Sequence, residues 1–240
     1  MNLLFVLAVG LVAGTVSGIV GTGSSIMLMP VLIYAYGPKQ AVPIMAVAAV
    51  LANLSRILAW WREVDWRACA AYSITAIPAA ALGARTLLAL PSRVVDISIG
   101  AFLIAMVPLR HWLAHHQVKL SLWHLALGGA VIGFLTGIVV STGPLSVPLF
   151  LFYGVTRGAF LATEAASSLG VYLSKSVTFE RFGALTADIA LQGLIAGSSL
   201  MLGAFIARRF VLRLQPDAFR LVMDAIMLAA GLSLLWSAAS

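Results

Sequence analysis

Two short stretches decide the fold of this chain: SGIVGTG at residues 17–23 and TGIVVSTG at residues 136–143. Each stretch follows an apolar run that is long enough for a helix, and each precedes a shorter apolar run. Glycine permits backbone angles that end one helix and lets another backbone approach closely. We therefore predict a broken helix at matching places in the two halves of the chain.

The sequence around the two stretches also matches, at an offset of 117–119 residues. Each stretch is followed by a proline, Pro30 or Pro148, and then by a loop that begins Tyr-Gly. An internal repeat is the economical explanation. The domain assignment is membrane repeat 1 at 1–110, a cytoplasmic connecting loop at 111–121 and membrane repeat 2 at 122–240, which together form one domain.

The composition predicts an integral membrane protein. Of the 240 residues, 62% are hydrophobic and only 10% are charged, whereas soluble domains are about half apolar and about a quarter charged. Apolar runs that could cross a hydrocarbon layer of about 30 Å recur along the chain. The runs are continuous and do not alternate with polar residues, which favours membrane helices over barrel strands.

The apolar runs predict an all-α membrane fold of two five-segment repeats, with eight to ten membrane helices. An odd number of segments makes the second repeat enter the membrane in the opposite orientation, as in many transporters. If the first two segments of a repeat form a re-entrant hairpin, the number of crossings is still odd. The predicted segments are 3–20, 24–36, 39–61, 66–90 and 93–110, then 122–140, 144–154, 158–179, 184–211 and 216–238.

The second segment of each repeat is short. Residues 24–36 form roughly 20 Å of helix, less than a full crossing of about 30 Å, and residues 144–154 form less. Short or broken helices at corresponding positions of two halves indicate a transport site. Whether these segments span the membrane or re-enter it stays open at this point.

The charge distribution indicates topology. The net charge is +7, but the basic residues lie at predicted helix ends, which is typical of membrane orientation and not of nucleic-acid binding. The first helix has no basic segment before it and is expected to be retained. We predict an inner (plasma) membrane protein with both termini non-cytoplasmic. The richer, cytoplasmic side carries Arg62, Arg67, Arg110, Lys119, Arg157, Arg208, Arg209 and Arg213, and the other side carries Lys39, Arg85, Arg93 and Arg181.

The two glycine-rich breaks are the candidate binding site. Each break exposes the N-terminus of a short helix, where free N–H groups and the positive end of the helix dipole favour an anion. Ser and Thr are expected to cap these helices, and Pro144 suits a first helical position. The alternative is that both breaks are only tight turns with small-residue packing. The candidate residues are Gly21, Thr22, Gly23, Ser24 and Ser25 in the first half and Ser141, Thr142, Gly143 and Ser146 in the second.

These features resemble the TauE/SafE family of sulfite and organosulfonate exporters. The resemblance covers nearly the whole chain and includes the repeated breaks, the Gly-Ala pairs at 83–84 and 203–204, the segment 53–56 and the turn 64–66. It implies export of a small sulfur-containing anion. Family breaks are often richer in glycine, and this chain instead has Thr22, Ser24, Ser25, Ser141 and Pro144. This departure favours hydroxyl contacts to substrate oxygens.

Charged residues inside predicted membrane helices are costly and often functional. Glu164 has no basic residue at i±3 or i±4, so it is a candidate proton carrier, or alternatively a helix-start residue near Arg157. Lys175 and Arg56 could attract the anion, or they could snorkel to the membrane surface, with Arg56 stacking on Trp60. Asn53 is a further substrate-contact candidate, for which interhelical hydrogen bonding is the alternative.

Other polar clusters favour structural roles. The pairs Arg93/Asp96 and Arg220/Asp224 each lie on one helix face, where their charges partly neutralise each other. His111 and His115 have the spacing of a metal pair, but a solvated loop is the favoured interpretation. We predict no metal, no cofactor and no enzymatic activity, since no nucleotide-binding fingerprint occurs.

The preferred hypothesis from the sequence is a secondary transporter for a small anion such as sulfite or an organosulfonate. Transport would use alternating access between the two halves, with Glu164 as the carrier of a coupled proton. The alternatives are an anion channel and a non-transporting assembly or scaffold protein of the membrane. The expected partners are the anion and the lipid bilayer, with a possible homo-oligomer and no nucleic acid.

Overall fold

The computed structural model describes residues 2–20, 23–91, 119–139, 142–155 and 157–207, together with scattered positions at 93–108 and 228–236. Within these ranges the chain is helical and contains no strand, which confirms the all-α fold class for this part of the chain. The helices are α1 Asn2–Val20, α2 Ser24–Tyr36, α3 Pro38–Trp60, α4 Trp66–Ala89, α5 Leu122–Ile138, α6 Gly143–Tyr153, α7 Arg157–Arg181 and α8 Ala187–Ala207, with a short 3₁₀ helix at Trp61–Glu63.

The helix bounds agree with the sequence prediction to within two residues from α1 to α7. Helix α8 begins three residues later than predicted, at Ala187. Gly183 adopts a left-handed turn with φ of 72° after α7, and the Thr186 hydroxyl then accepts a hydrogen bond from the Ile189 amide at 3.4 Å. Most of the predicted helix 216–238 lies outside the described residues.

The two second-segment helices are short, as predicted. Helix α2 has 13 residues and α6 has 11, which correspond to about 20 Å and about 17 Å of helix. Helix α1 ends at Val20 before α2 begins at Ser24, and α5 ends at Ile138 before α6 begins at Gly143. Each half of the chain therefore places one helix N-terminus inside the bundle.

Helix α1 packs against α8 through three glycines, Gly10, Gly14 and Gly18. A Cβ atom added to Gly14 would lie 2.2 Å from the Leu200 carbonyl oxygen, so the two backbones are in direct contact. Gly10 lies against Ser199, and Gly18 lies against Ala204 and Ala207. Because successive glycines of α1 contact successively later residues of α8, the two helices run in the same direction.

Helix α5 packs against α4 in the same way, through Gly129, Gly133 and Gly137. A Cβ atom added to Gly133 would lie 2.4 Å from the Ala76 carbonyl oxygen. Gly129 lies against Tyr72, and Gly137 lies against the carbonyl of Ala80, so these two helices are also parallel. The three glycines lie 119 positions after those of α1.

Further contacts relate the directions of the remaining helices. On α8, Gly193 lies against Ile44 of α3 and Gly197 lies against Ala48, so α3 is parallel to α8. Helix α7 contacts α4 at its start, where the Thr163 hydroxyl accepts from the Asp65 amide at 2.9 Å. Further along, the Ser174 hydroxyl donates to the Ile77 carbonyl at 2.9 Å. Since the later residue of the α4 segment contacts the later residue of α7, α4 is parallel to α7.

Helices α3 and α7 cross in opposite directions at the centre. Arg56 contacts Glu164, whereas Trp60, later in α3, contacts Gly158, earlier in α7. Helices α1, α3 and α8 therefore run against α4, α5 and α7. The first helix of each half, α1 or α5, thus runs opposite to its counterpart.

The outside of the bundle is apolar. Ile74, Val131 and Leu202 are between 60% and 74% exposed, and they are among many large apolar side chains that face outward from the described helices. Two helices, Lys39–Glu63 and Ala187–Ala207, are long and apolar enough to cross a membrane by length and composition, and only 33% of the apolar window in the second is buried.

Candidate functional site

A polar cavity lies where the two helix breaks meet α3, α4 and α7. The volume open to the centres of water molecules is about 30 Å³, which is room for about two waters. The cavity brings together the starts of α2 and α6, which are far apart in sequence. Its walls are formed by Ser17, Gly23, Ser24, Ser25, Ala49, Ala52, Asn53, Arg56, Tyr72, Thr136, Thr142, Gly143, Ser146, Glu164, Ser168, Val171 and Tyr172.

Two helix N-termini reach this cavity. Helix α2 starts after Gly23, whose φ of 105° is left-handed and is readily adopted only by glycine. Helix α6 starts after Thr142, and Pro144 occupies its first turn. The first N–H groups of a helix have no acceptor within the helix. The cavity therefore receives partial positive charge from two directions.

The expectation that Ser and Thr cap these two helices is wrong for both N-cap residues. The α2 N-cap is Gly23, which has no side chain to accept a hydrogen bond. The Thr142 side chain makes no capping bond to α6, because its hydroxyl pairs with the Thr136 hydroxyl at the end of α5. This leaves the start of α6 uncapped by its own N-cap side chain.

A buried ion pair forms the opposite wall. Arg56 on α3 donates from Nη1 to Glu164 Oε2 on α7 at 2.9 Å, and from Nη2 to the Asn53 side-chain oxygen. The Asn53 amide in turn donates to the Ala49 carbonyl at 2.8 Å. Arg56 is 8% exposed and Glu164 is 3% exposed. Asn53 thereby holds the guanidinium at the cavity independently of Glu164.

The second carboxylate oxygen of Glu164 accepts from two hydroxyls. Ser168, one turn later on α7, donates at 2.8 Å, and Ser146 on α6 donates at 3.2 Å. Ser146 also lies within 3.2 Å of the Gly143 carbonyl. Glu164 is thus linked to both the cation of the first half and the short helix of the second half.

Lys175 lies outside the set of residues that line the cavity. It is 1% exposed, so it does not snorkel to a surface. Its ammonium donates to the Thr136 carbonyl at 2.7 Å and the Val139 carbonyl at 2.8 Å. Thr136 lies in the last turn of α5 and Val139 is its C-cap residue. Carbonyls at a helix end have no N–H donor within the helix. Lys175 therefore caps the end of the broken helix.

Corresponding residues of the two halves meet at the cavity. Ser17 and Thr136 both line it and lie 119 positions apart, and Asn53 and Tyr172 have the same offset. Arg56 and Lys175 also lie 119 positions apart, but only Arg56 reaches the cavity wall. Equivalent cations thus have different partners.

Most of the predicted site residues converge. Gly21, Thr22 and Ser141 lie outside the described residues, as do His111, His115, the pair Arg220/Asp224, Asp96 and the side chain of Arg157. Within the described ranges no group of three His, Cys, Asp or Glu residues could hold a metal. The predicted residues that line the cavity are Gly23, Ser24, Ser25, Asn53, Arg56, Thr142, Gly143, Ser146 and Glu164.

Among the lining residues that the sequence did not predict are Ser17, Tyr72, Thr136 and Tyr172. Ser17 and Thr136 could have been found, because each begins one of the two repeated stretches. Tyr72 and Tyr172 carry no local signal, since an aromatic residue in an apolar helix usually packs in a core. Only the approach of α4 and α7 places them at the site.

The apolar outer surface and the buried polar cavity at two broken helices define a class, that of polytopic membrane transporters. Over residues 6–234 the chain matches the family described as Sulfite exporter TauE/SafE. The chain therefore belongs to the TauE/SafE family. Its place in a membrane rests on this membership and on its curated relatives.

Two of these relatives are described as membrane transporters. "Probable membrane transporter protein y4hK" from Sinorhizobium fredii (strain NBRC 101917 / NGR234) is 29% identical over 191 residues, which cover 72% of this chain and 73% of the relative. "Probable membrane transporter protein YjnA" from Bacillus subtilis (strain 168) is 22% identical over 255 residues, which cover 96% and 98% of the two chains. No solved structure matches the chain.

Proposed function

We propose that this chain is a secondary transporter, of the exporter type, for a compact sulfur oxyanion such as sulfite. The observation that supports the proposal is the convergence of two helix N-termini and Arg56 on one buried cavity. Backbone N–H groups at helix starts and a guanidinium are the donors that proteins use for oxyanions. Hydroxyls of Ser24 and Thr142 add donors that can orient the oxygens of the anion.

The size of the cavity favours a compact anion. Its volume of about 30 Å³ for water centres holds about two waters, which share about 60 Å³ in the liquid. A four-atom oxyanion such as sulfite needs space of this order. An organosulfonate with an organic tail would require the cavity to open further, so sulfite is the preferred substrate of the two.

Alternating access between inverted repeats is the proposed mechanism. It is supported by the opposite directions of corresponding helices and by the glycine contacts repeated 119 positions apart. The cavity lies between equivalent residues of the two halves, so a relative movement of the halves would open it to one side at a time. The proposed location is the inner membrane with both termini non-cytoplasmic, and Glu164 is the proposed carrier of a coupled proton.

Thermal unfolding of the purified protein in detergent tests the proposal. Sulfite at 100 times its dissociation constant should stabilise the protein by about 2.7 kcal/mol. Chloride at the same ionic strength should not, and methanesulfonate should stabilise less than sulfite. A matched control is Arg62→Met, which removes an exposed arginine and should leave the sulfite effect intact, whereas Arg56→Met should remove it.

Proteoliposomes separate the transporter from the alternatives. A transporter should show saturable uptake of labelled sulfite that is accelerated by unlabelled sulfite on the opposite side. A channel would show flux without that acceleration, and a scaffold protein would show no flux. Lack of stabilisation by any sulfur oxyanion, together with no flux, would contradict the proposed function.

A further inference from the structure

The buried ion pair of Arg56 and Glu164 leaves the cavity wall with no net charge. Nη1 of Arg56 and Oε2 of Glu164 are 2.9 Å apart, and both residues line the cavity. Arg56 has a second anchor in the Asn53 oxygen. Its Nη1 can therefore turn from Glu164 to an anion while Nη2 keeps the guanidinium in place.

An anion that binds beside Arg56 adds negative charge at a buried position. With Glu164 ionised, two negative groups would then share one guanidinium, and an uncompensated buried charge is unfavourable by several kcal/mol. Arginine remains protonated in proteins, whereas a carboxylate can take up a proton. Protonation of Glu164 is the available way to restore neutrality.

On the basis of the proposed function, we infer that the anion and one proton bind together, with the proton on Glu164, and cross the membrane in the same direction. The anion replaces the Glu164 carboxylate as the partner of Arg56 Nη1. The proton comes from hydronium in the bulk water, whose O–H bond breaks as an O–H bond forms on the carboxylate, and no other covalent bond changes. Anion affinity and proton affinity then strengthen each other.

The surroundings of Glu164 can accept a neutral carboxyl group. Oε1 already lies 2.8 Å from the Ser168 hydroxyl and 3.2 Å from the Ser146 hydroxyl. A hydroxyl can reverse its role and accept a hydrogen bond. A proton on Oε1 would therefore have a hydroxyl acceptor after Arg56 turns to the anion, so proton uptake does not require the helices to rearrange.

The other charged and titratable groups near Glu164 have their own partners or are neutral. Tyr72 from α4 and Tyr172 from α7 line the same cavity, and tyrosine is uncharged near neutral pH. The Asp65 carboxylate, beside the start of α7, caps α4 through the amides of residues 67 and 68. Lys175 donates to the end of α5. Among the residues that the structure describes, Arg56 and Glu164 are thus the charged pair that lines the cavity.

Co-transport has a consequence for direction. An inward-directed proton gradient would drive the anion inward, whereas export would follow the anion's own outward gradient and carry protons out. Proton-driven export by exchange would instead need the anion and the proton to exclude each other. The sign of the coupling between the two ligands therefore separates the mechanisms.

Calorimetric titration of the purified full chain with sulfite, in two buffers of different ionisation enthalpy, measures the protons taken up per bound anion. We expect wild type to take up about one proton more per bound sulfite than Glu164→Gln does. For each unit rise in pH, the sulfite dissociation constant of wild type should increase by about tenfold more than that of Glu164→Gln. Glutamine keeps an oxygen for Arg56 and resembles the protonated acid. Glu180→Gln, an exposed change on the same helix, should behave as wild type. The comparison with Glu164→Gln subtracts the titration of sulfite itself.

A second measurement does not need the variant to fold. Wild-type proteoliposomes that contain a pH dye should acidify inside at pH 8 when methanesulfonate enters, because this anion has no proton of its own to release at that pH. Equal proton uptake by wild type and Glu164→Gln, or alkalinisation inside the vesicles, would overturn the coupling and leave anion transport intact. A failure of wild type to bind sulfite would instead overturn the proposed function, and the inference with it.

Discussion

The two helix breaks have the same construction and different electrostatics. Both follow a glycine-packed helix, and both precede a short helix whose start reaches the cavity. At the second break, Lys175 caps the end of α5 through two carbonyls. The equivalent cation of the first half, Arg56, crosses to Glu164 of the other half.

The difference arises from geometry and from side-chain chemistry. An ammonium is a compact charge with three donors and can satisfy neighbouring carbonyls, whereas a planar guanidinium can bridge two oxygen acceptors with its fork. Arg56 uses the fork on Asn53 and Glu164. The two positions lie 119 residues apart, and the choice between Lys and Arg gave one a structural role and the other a place at the proposed binding site.

The largest effects should come from replacing either Arg56 or Lys175 with a neutral residue. Arg56→Met would leave Glu164 buried without its 2.9 Å partner, which costs about 3–5 kcal/mol of unfolding free energy, and should weaken sulfite binding roughly 100-fold. Lys175→Met should cost about 2 kcal/mol, because two carbonyls lose a charged donor. Its sulfite affinity should change less than that of Arg56→Met. Thermal unfolding and calorimetry measure both.

The comparison between the two cations would be broken if Lys175→Met abolished sulfite binding while keeping the stability of wild type. Lys175 would then act on the anion in a second conformation. Lys175→Arg provides the matched control, since it keeps the charge and should retain part of the stability lost in Lys175→Met.

Glycine contacts should respond equally in the two halves. Gly14→Ala and Gly133→Ala would each place a Cβ atom 2.2–2.4 Å from a backbone oxygen, and overpacking of this kind costs about 1–3 kcal/mol. At Gly128, the added atom would meet only the Leu149 side chain at 2.7 Å, which can move, so Gly128→Ala should cost less. Thermal unfolding of the three variants checks the order. A tolerated Gly14→Ala beside a damaging Gly133→Ala would contradict equal packing of the halves.

Hydroxyl changes at the two helix starts should have the smallest effect. Ser24 follows Gly23 at the first helix start and Thr142 precedes Gly143 at the second, and both Ser24 and Thr142 line the cavity. Ser24→Ala and Thr142→Val should each weaken sulfite binding by about fivefold, which corresponds to about 1 kcal/mol for one hydrogen bond. Sulfite titrations measure the change. Unaltered affinity in both variants would indicate that the backbone donors and Arg56 hold the anion without these hydroxyls.

Local features of the chain were predictable because they depend on neighbouring residues. The glycine-rich stretches and apolar runs predicted the end of α1 at Val20 and the end of α5 to within two residues of Ile138. The pairing of Arg56 with Glu164 was not predictable, since 108 positions separate the residues and nothing in either helix indicates the other. The Thr142 hydroxyl was expected to cap α6, but it meets Thr136 of the preceding helix instead. That contact depends on the angle between α5 and α6.

The sequence by itself determined the helical character, the two breaks and the correspondence between halves, because composition, glycine and spacing act locally. Only the tertiary structure decided which polar residues share a cavity. A buried charge must find a partner wherever the packed helices bring one. Glycines packed backbone to backbone set how closely α1 meets α8 and α4 meets α5. Where α3 and α7 cross, Arg56 meets Glu164, while Lys175 meets the open end of α5.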